Sequence, residues 1–466
     1  MRKLLTIGFA LIATTSSADM TRVWTDQGWA NNPDSASIWY DISQGSRLIP
    51  AEWFDVLLDE DGPFSNRNLD STYGFPYWDE TAPYPIGFVI DQNEAGKEWI
   101  GMNCSACHTS RLFYDDTEIM VHGGQAMADF RGFLVDLGTS MRRVNQNSDT
   151  RAAFFNQLST EGKTRTIEDF AAELNDWLEH RGDIDRILDG LDEHQDWGYG
   201  RADAVAYIQA ATARVVQTEP ADQVTTANAP VNYPAAWNAN QQGALQHNGL
   251  VSNGTDLSIL DENVKIGAYI RDWTEALGVF AQATRTNAGK LETSIKGPNL
   301  LAIEKSLATL QSPQWPAEIF GPLDSALLDQ GQEIYKDTCV ACHGIVEDVT
   351  DLAQKYPLDV KQCSVAGSTY GNSPFVCVQP VVDASVSRNA QSLGYTPSAA
   401  LVGTDPMMTC NIMLHKIPTG KLEGKLKKNT FTSFDGLGRF SDYEFTNQVM
   451  AALIIKDLWN QSGDLV

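Results

Sequence analysis

Cys104-Ser105-Ala106-Cys107-His108 and Cys339-Val340-Ala341-Cys342-His343 share the form C-x-x-C-H. In this arrangement two thiols three residues apart can reach the two vinyl-derived carbons on one edge of a porphyrin. The adjacent histidine then lies under the ring and presents a nitrogen to iron. The competing readings are a thioredoxin-like redox pair, a zinc site and coincidence. A redox C-x-x-C normally sits beside a single βαβ pattern and is not repeated. A Cys₄ zinc site would use both pairs without requiring a histidine directly after each. With seven Cys and seven His in 466 residues, two chance matches are far rarer than one. The spacing therefore predicts two covalently attached haems c, bound through Cys104, Cys107, Cys339 and Cys342, with His108 and His343 as axial iron ligands.

The elements that must position these motifs read mainly as α-helix. Asp324 caps an expected helix that runs toward Cys339, with Leu327, Leu328, Ile334 and Tyr335 as its apolar positions. Gly331 inside it is explained by a close helix crossing. Ser441-Asp442-Tyr443-Glu444 has the form of a capping box opening a helix through Val449, Leu453 and Trp459, the expected crossing partner. Between the two motifs lie 230 residues, more than a small cytochrome c module needs. Thr166-Ile167-Glu168-Asp169 starts a helix carrying Phe170, Leu174, Trp177 and Leu178 at helical spacing. Leu300, Ile303, Leu307 and Leu310 form a second apolar stripe. From Pro220 to Asn253 the pattern breaks into a Pro-, Asn- and Gln-rich loop containing Tyr233, Trp237 and His247.

The N-terminus has the form of a secretory signal over residues 1–18. Arg2 and Lys3 precede an apolar run from Leu4 to Ala13, and Ser16 and Ala18 satisfy the small-residue rule for cleavage. That run is too short to span a bilayer, and no later segment is long and apolar enough. A periplasmic or secreted location is expected, which suits covalent haem and permits disulfides. The formal net charge of −26 argues against nucleic acid and anionic membrane surfaces as partners. It favours docking with a basic redox protein.

Three thiols remain. Cys363 and Cys377 bracket a Gly-, Ser- and Pro-containing loop, and a disulfide between them is expected to stabilise the fold by roughly 3 kcal/mol if unstrained. Cys410 is then left over, and its pairing with either of the others is the alternative.

From about Trp24 to Trp459 the chain resembles the secreted di-haem cytochromes c related to the haem-dependent rubber oxygenases, within the bacterial di-haem cytochrome c peroxidase superfamily. The resemblance rests on the ordered series Trp24-Thr25-Asp26-Gln27-Gly28-Trp29, Ser43-Gln44-Gly45-Ser46, Pro85-Ile86-Gly87-Phe88, the first haem motif, and Gly123-Gly124 with Ala128-Asp129-Phe130. Tyr199 to Ala204, Ala229 to Pro234 with Trp237, and Gly403 to Pro406 continue it. It implies an N-terminal haem on His108 with an open distal face where oxygen or peroxide reacts. It also implies a C-terminal haem on His343 that is six-coordinate and moves electrons. Tyr233 and Trp237 are then the candidates for electron flow or the distal pocket, beside the ordinary reading of aromatic packing. A hydrophobic organic substrate follows from the family likeness alone. The chain departs from the group at His122, where Asp often stands, and at His247, where Trp often stands. It also ends before the segment whose His supplies the sixth ligand of the second haem. His415 and Met413 are the candidates for that ligand, with Met407, Met408 and Met450 as further thioethers; an open second iron, or a chain that is a fragment, is the alternative.

The expected architecture is two cytochrome c-like haem modules, 19–320 and 321–466, with a long helical and loop-rich insertion between the motifs. The expected function is electron transfer with oxygen- or peroxide-dependent oxidoreductase chemistry at the first haem, because an enzyme needs walls around one haem face. An electron carrier without its own substrate is the alternative.

Overall fold

A computed structural model describes residues 20–59, 62–65, 68–158, 165–189, 197–216, 226–239, 244–245, 251–252, 256–259, 262–286, 290–338, 364–365, 377–378, 407–425 and 440–462. Helix dominates these residues, accompanied by small two- and three-stranded sheets and no barrel. The helical expectation holds at that level. No helix among them is long and apolar enough to cross a membrane. The second motif (Cys339, Cys342, His343), Cys363, His247 and residues 403–406 lie outside the described residues, as do the side chains of Cys377, Cys410 and Met413.

The local sequence rules explain several elements. Thr166 and Asp169 cap each other reciprocally, Asp169 N donating to Thr166 Oγ1 (3.1 Å) and Thr166 N to Asp169 Oδ2 (3.0 Å). Helix Ile167–Asp189 follows, with Phe170 and Leu174 fully buried. Leu300, Ile303, Leu307 and Leu310 are all buried, the first three along helix Gly297–Leu307. Asp324 Oδ1 accepts from Ala326 N (2.8 Å) and Leu327 N (3.0 Å) at the start of helix Ser325–Thr338.

Three expectations are corrected. Helix Ser325–Thr338 buries none of its residues, Leu327 and Ile334 being 65% and 63% exposed, and a Cβ on Gly331 would meet nothing within 4 Å. No helix crosses there among the described residues. The terminal helix starts at Thr446, later than the Ser441–Glu444 box. Ser441 N does donate to Glu444 Oε1 (2.9 Å), but this bond closes a turn leading into strand Tyr443–Phe445. Helix Thr446–Ser462 then packs against helices Ala204–Val216 and Ile266–Gly278. Val449, Leu453, Ile454 and Leu458 enter one core with Val216, Tyr269, Trp273 and Leu277. Burial of apolar area chose the partner, because those helices offered a face already lined by Trp and Tyr.

Asp457 fixes that docking. It is 2% exposed and accepts from Trp273 Nε1 (2.8 Å) and Thr293 Oγ1 (2.9 Å). Asp457→Ala leaves both donors orphaned in the core and is expected to cost about 2–4 kcal/mol, seen as a lower urea midpoint.

The third correction concerns the surroundings of the first motif, which are β. Strands Ile49–Pro50, Glu98–Met102 and Phe88–Gln92 form one sheet with Glu98–Met102 in the centre. Thr21–Trp24 and Thr109–Tyr114 flank Thr117–His122 in a second. The β-branched and aromatic runs and the Asp115-Asp116 turn, with Asp115 at φ 47°, carry this signal in the sequence.

Beneath these sheets, Phe133 of helix Phe130–Gln146 is fully buried and meets the rings of Phe54, Phe64, Tyr73, Phe75 and Phe88 edge-on. Such edge-to-face contacts add to the burial of each ring.

Candidate haem-attachment site

The first motif occupies the turn between the two sheets. Strand Glu98–Met102 delivers the chain to a 3-10 turn, Cys104–Ala106, and strand Thr109–Tyr114 carries it away. Asn103 makes the turn. Its Oδ1 accepts from Ser105 N (3.0 Å) and Ser105 Oγ (2.6 Å), capping the turn. Its Nδ2 donates to the carbonyls of Trp39 (3.1 Å), Tyr40 (3.0 Å) and Ile42 (3.2 Å), tying the turn to the end of helix Pro33–Asp41. Sequence reasoning passed over Asn103, although an Asn directly before C-x-x-C is an N-cap signal.

The resemblance motifs brace this turn. Gln44 Nε2 donates to Met102 O (3.2 Å), and Cys104 Sγ lies 3.5 Å from Gln44 Oε1. Ser46 Oγ accepts from Met102 N (3.0 Å). Gly87 O accepts from Asn103 N (2.9 Å), and Gly87 has φ 82°. A Cβ at Gly87 would fall 2.1 Å from Ala106 N, so only glycine allows the two backbones to lie this close. Gln27 reaches the far strand, accepting from His122 N (2.9 Å) and donating to His122 O (2.8 Å).

The two thiols face different layers. Cys104 packs against the cluster of Trp29, Trp39 and Ile303, and Cys107 against the aromatic cluster around Phe133. Burial pushes both thiols up, Cys107 to about 12, with Glu275 adding to the effect and a Tyr233 hydrogen bond opposing it. Among the described residues no group of three or more His, Cys, Asp and Glu is placed to hold a metal ion.

His108 Nδ1 lies 2.8 Å from Pro234 O. A carbonyl can only accept, so Nδ1 carries the proton and donates it to Pro234 O, which leaves Nε2 as the nitrogen that would ligate iron. That tautomer is the one an axial iron ligand needs, and a carbonyl partner on the other nitrogen is the usual device that fixes it. The donor set fits a c-type haem: two free thiols on one turn, followed by a histidine whose Nδ1 is held by a backbone carbonyl.

Tyr233 joins the site. It is buried, its ring meets that of His108 edge-on at 6.1 Å, and its hydroxyl donates to Arg201 O (3.2 Å). Burial raises its own pKa well above the ordinary value, so it stays a neutral phenol. Trp237 does not meet His108 in this way. It packs against the apolar layer of Ala236, Ile303 and Leu310, near Gly123. On the side of Cys104 lies a buried ionic group. Arg271 bridges Asp272 (2.9 Å) and Glu304, and Asp272 Oδ2 has no hydrogen-bond partner. Burial raises the Asp272 carboxyl to about 6 against the pull of Arg271.

The candidate sixth ligand His415 is buried between strand Lys416–Pro418 and the start of helix Thr446–Ser462, with Nδ1 2.7 Å from Thr446 Oγ1. Met413 lies in helix Met407–Leu414. Strands Ser364–Val365 and Cys377–Val378 pair antiparallel with Val365 opposite Cys377, which is the hairpin frame expected for the 363–377 loop.

His122 pairs with Thr109 across the strands, and its Nδ1 shares a 2.7 Å hydrogen bond with the Tyr40 hydroxyl. Burial lowers both His122 and His415 to about 4. The unfolded chain binds protons on these rings near pH 6.5, the folded chain only near 4. Each therefore contributes stability above pH 6.5 that is lost as pH falls toward 4, on the order of 2–3 kcal/mol. Asp272 titrates in the opposite sense, losing stability as pH rises through about 6, so the comparison is with a variant. His122→Gln is expected to remove its share of the acid-side slope between pH 6.5 and 4 in denaturation curves taken at each pH.

Comparison with known proteins adds one relative. The chain is similar to Uncharacterized protein y4iJ of Sinorhizobium fredii (strain NBRC 101917 / NGR234), 24% identical over 359 residues, covering 69% of this chain. The matched stretch spans 57% of that protein's length. No family model and no solved structure matches the chain.

Proposed function

We propose that this chain is an exported di-haem c-type cytochrome that turns over oxygen or peroxide at the haem on His108 and passes electrons through the haem on His343. The observation that carries the reading is His108, which follows a C-x-x-C turn and has its Nδ1–H committed to Pro234 O at 2.8 Å. Cys104 and Cys107 would hold the ring edge and His108 the iron. Haem bound there would supply one-electron and oxygen chemistry. Asn103 and Gln44 keep the attachment turn rigid, and the Pro234 carbonyl keeps His108 electron-rich. Tyr233, whose ring meets that of His108, would lie beside the axial ligand of a haem held there. It therefore suits electron flow or ligand positioning better than the distal pocket. Asp272 holds a proton at its carboxyl below about pH 6, in the layer beside Cys104.

The test is spectroscopic. Protein made in a host competent for haem attachment should carry two covalent haems by mass spectrometry. Its reduced spectrum should show one band that shifts with carbon monoxide. A mass without added haem removes the cytochrome reading. Two haems inert to carbon monoxide, oxygen and peroxide leave the carrier, which the net charge of −26 favours through docking to a basic partner. A carrier of that kind should exchange electrons more slowly as salt rises.

A further inference from the structure

On the surface beside the attachment turn, the first resemblance motif and helix Pro33–Asp41 enclose an open cavity of about 400 Å³. Its wall is aromatic: Trp24, Trp29, Tyr40, Trp78 and His122. The rings buttress one another. Trp24 stacks on His122 with centroids 4.3 Å apart and planes at 15°, and Tyr40 meets Trp78 at 4.8 Å and 81°. Tyr40 and Trp29 are buried in the wall, whereas Trp78 is 38% exposed at its edge.

The charge around the cavity has one sign. Asp26 and Asp41 line it and are exposed, and among the described residues no Lys or Arg lines it. Arg22, whose guanidinium bonds the Trp78 carbonyl nearby, is paired with Glu118 at 2.5 Å. Asp41 accepts from Ser37 Oγ (2.8 Å) and Asp26 from Gly28 N (3.1 Å), which holds both carboxylates in place. His122 is neutral at physiological pH, so it adds no competing charge.

Rings and carboxylates together select a cation, because the aromatic face is negative and the carboxylates complement it. The rings favour a weakly hydrated cation over a metal ion, since stripping water from a methylated ammonium costs far less. We infer that this cavity binds a small organic cation of the tertiary or quaternary ammonium class, seated against Trp78 at the edge of the packed ring cluster and balanced by Asp26 and Asp41. The site does not depend on the haem reading. Trp29 shares an apolar layer with Cys104, but the rings and carboxylates that the inference uses lie outside the C-x-x-C-H turn.

Titration calorimetry of the full chain with choline tests it, with 3,3-dimethylbutanol as the uncharged isostere. One saturable site for choline is expected, with the isostere at least about tenfold weaker. Trp78→Ala should weaken choline by about tenfold and Trp78→Phe by less, because a ring face remains. Asp41→Asn should weaken choline and leave the isostere unchanged. Absence of a choline site, or equal binding of choline and its isostere in the unmodified protein, overturns the inference. Because that comparison needs no variant, it stands even if Trp78→Ala does not fold.

Discussion

Gly87→Ala is expected to cost at least about 3 kcal/mol and to disturb the attachment turn itself. Two penalties combine at this position. The residue has φ 82°, which an L side chain adopts only with strain. The new Cβ would also lie 2.1 Å from Ala106 N and 2.4 Å from Ala106 Cα, both backbone atoms that cannot swing aside. Relief requires the 85–88 loop or the Cys104–Ala106 turn to move, and either movement breaks the Asn103 N to Gly87 O bond. Gly96→Ala separates the two effects. Gly96 has a similar φ of 77° but nothing within 4 Å, so strain alone should cost about 1 kcal/mol there. Urea midpoints of the two variants make the comparison. On the proposed di-haem reading, Gly87→Ala also lowers the haem count by one while Gly96→Ala does not. Equal, small losses of stability in the two variants would show that the close approach does not matter.

Phe133→Ala is expected to cost about 3–5 kcal/mol, among the largest effects of any single truncation. The side chain is fully buried, and its neighbours come from four separate stretches of chain: Phe54, Phe64, Tyr73 with Phe75, and Phe88. Rings held edge-on by separate elements cannot collapse into the vacated volume without repacking all of them, so most of the cavity persists. Phe133→Leu keeps more of the volume and should lose about 1–2 kcal/mol. Phe113→Ala serves as the surface control, since Phe113 is 60% exposed, and should change stability by no more than about 0.5 kcal/mol.

Sequence reading reached the first site unevenly. The residues within the turn were legible because their function depends on spacing along the chain: Cys104, Cys107 and His108 are joined by covalent geometry. Tyr233 was legible as a candidate only through the resemblance, since nothing in its local sequence points to His108, 125 residues earlier. Asn103 carries a local capping signal toward Ser105, but its ties to the carbonyls of Trp39, Tyr40 and Ile42 join residues about 60 positions away and leave no local mark. The sheets around the motif were also missed, although Phe88 to Gln92 and Thr117 to His122 have strand composition. Helix starts fared better. The Thr166–Asp169 box and the Asp324 cap are settled by bonds spanning three residues or fewer. The Ser441–Glu444 box formed its bond but preceded a strand, because pairing of Tyr443–Phe445 with Lys416–Pro418 claimed those residues first.

By itself, the sequence determined the spacing of the C-x-x-C-H residues, two of the helix caps and the apolar stripes, all of which act over a few bonds or one helical turn. Only the tertiary structure decided what surrounds them. It placed Pro234 O against His108, Asp457 against Trp273 from 184 residues away, and Trp24 on His122 in the wall of an acidic aromatic cavity. These pairings depend on which apolar faces bury each other, and burial energy rewards area without regard to separation along the chain.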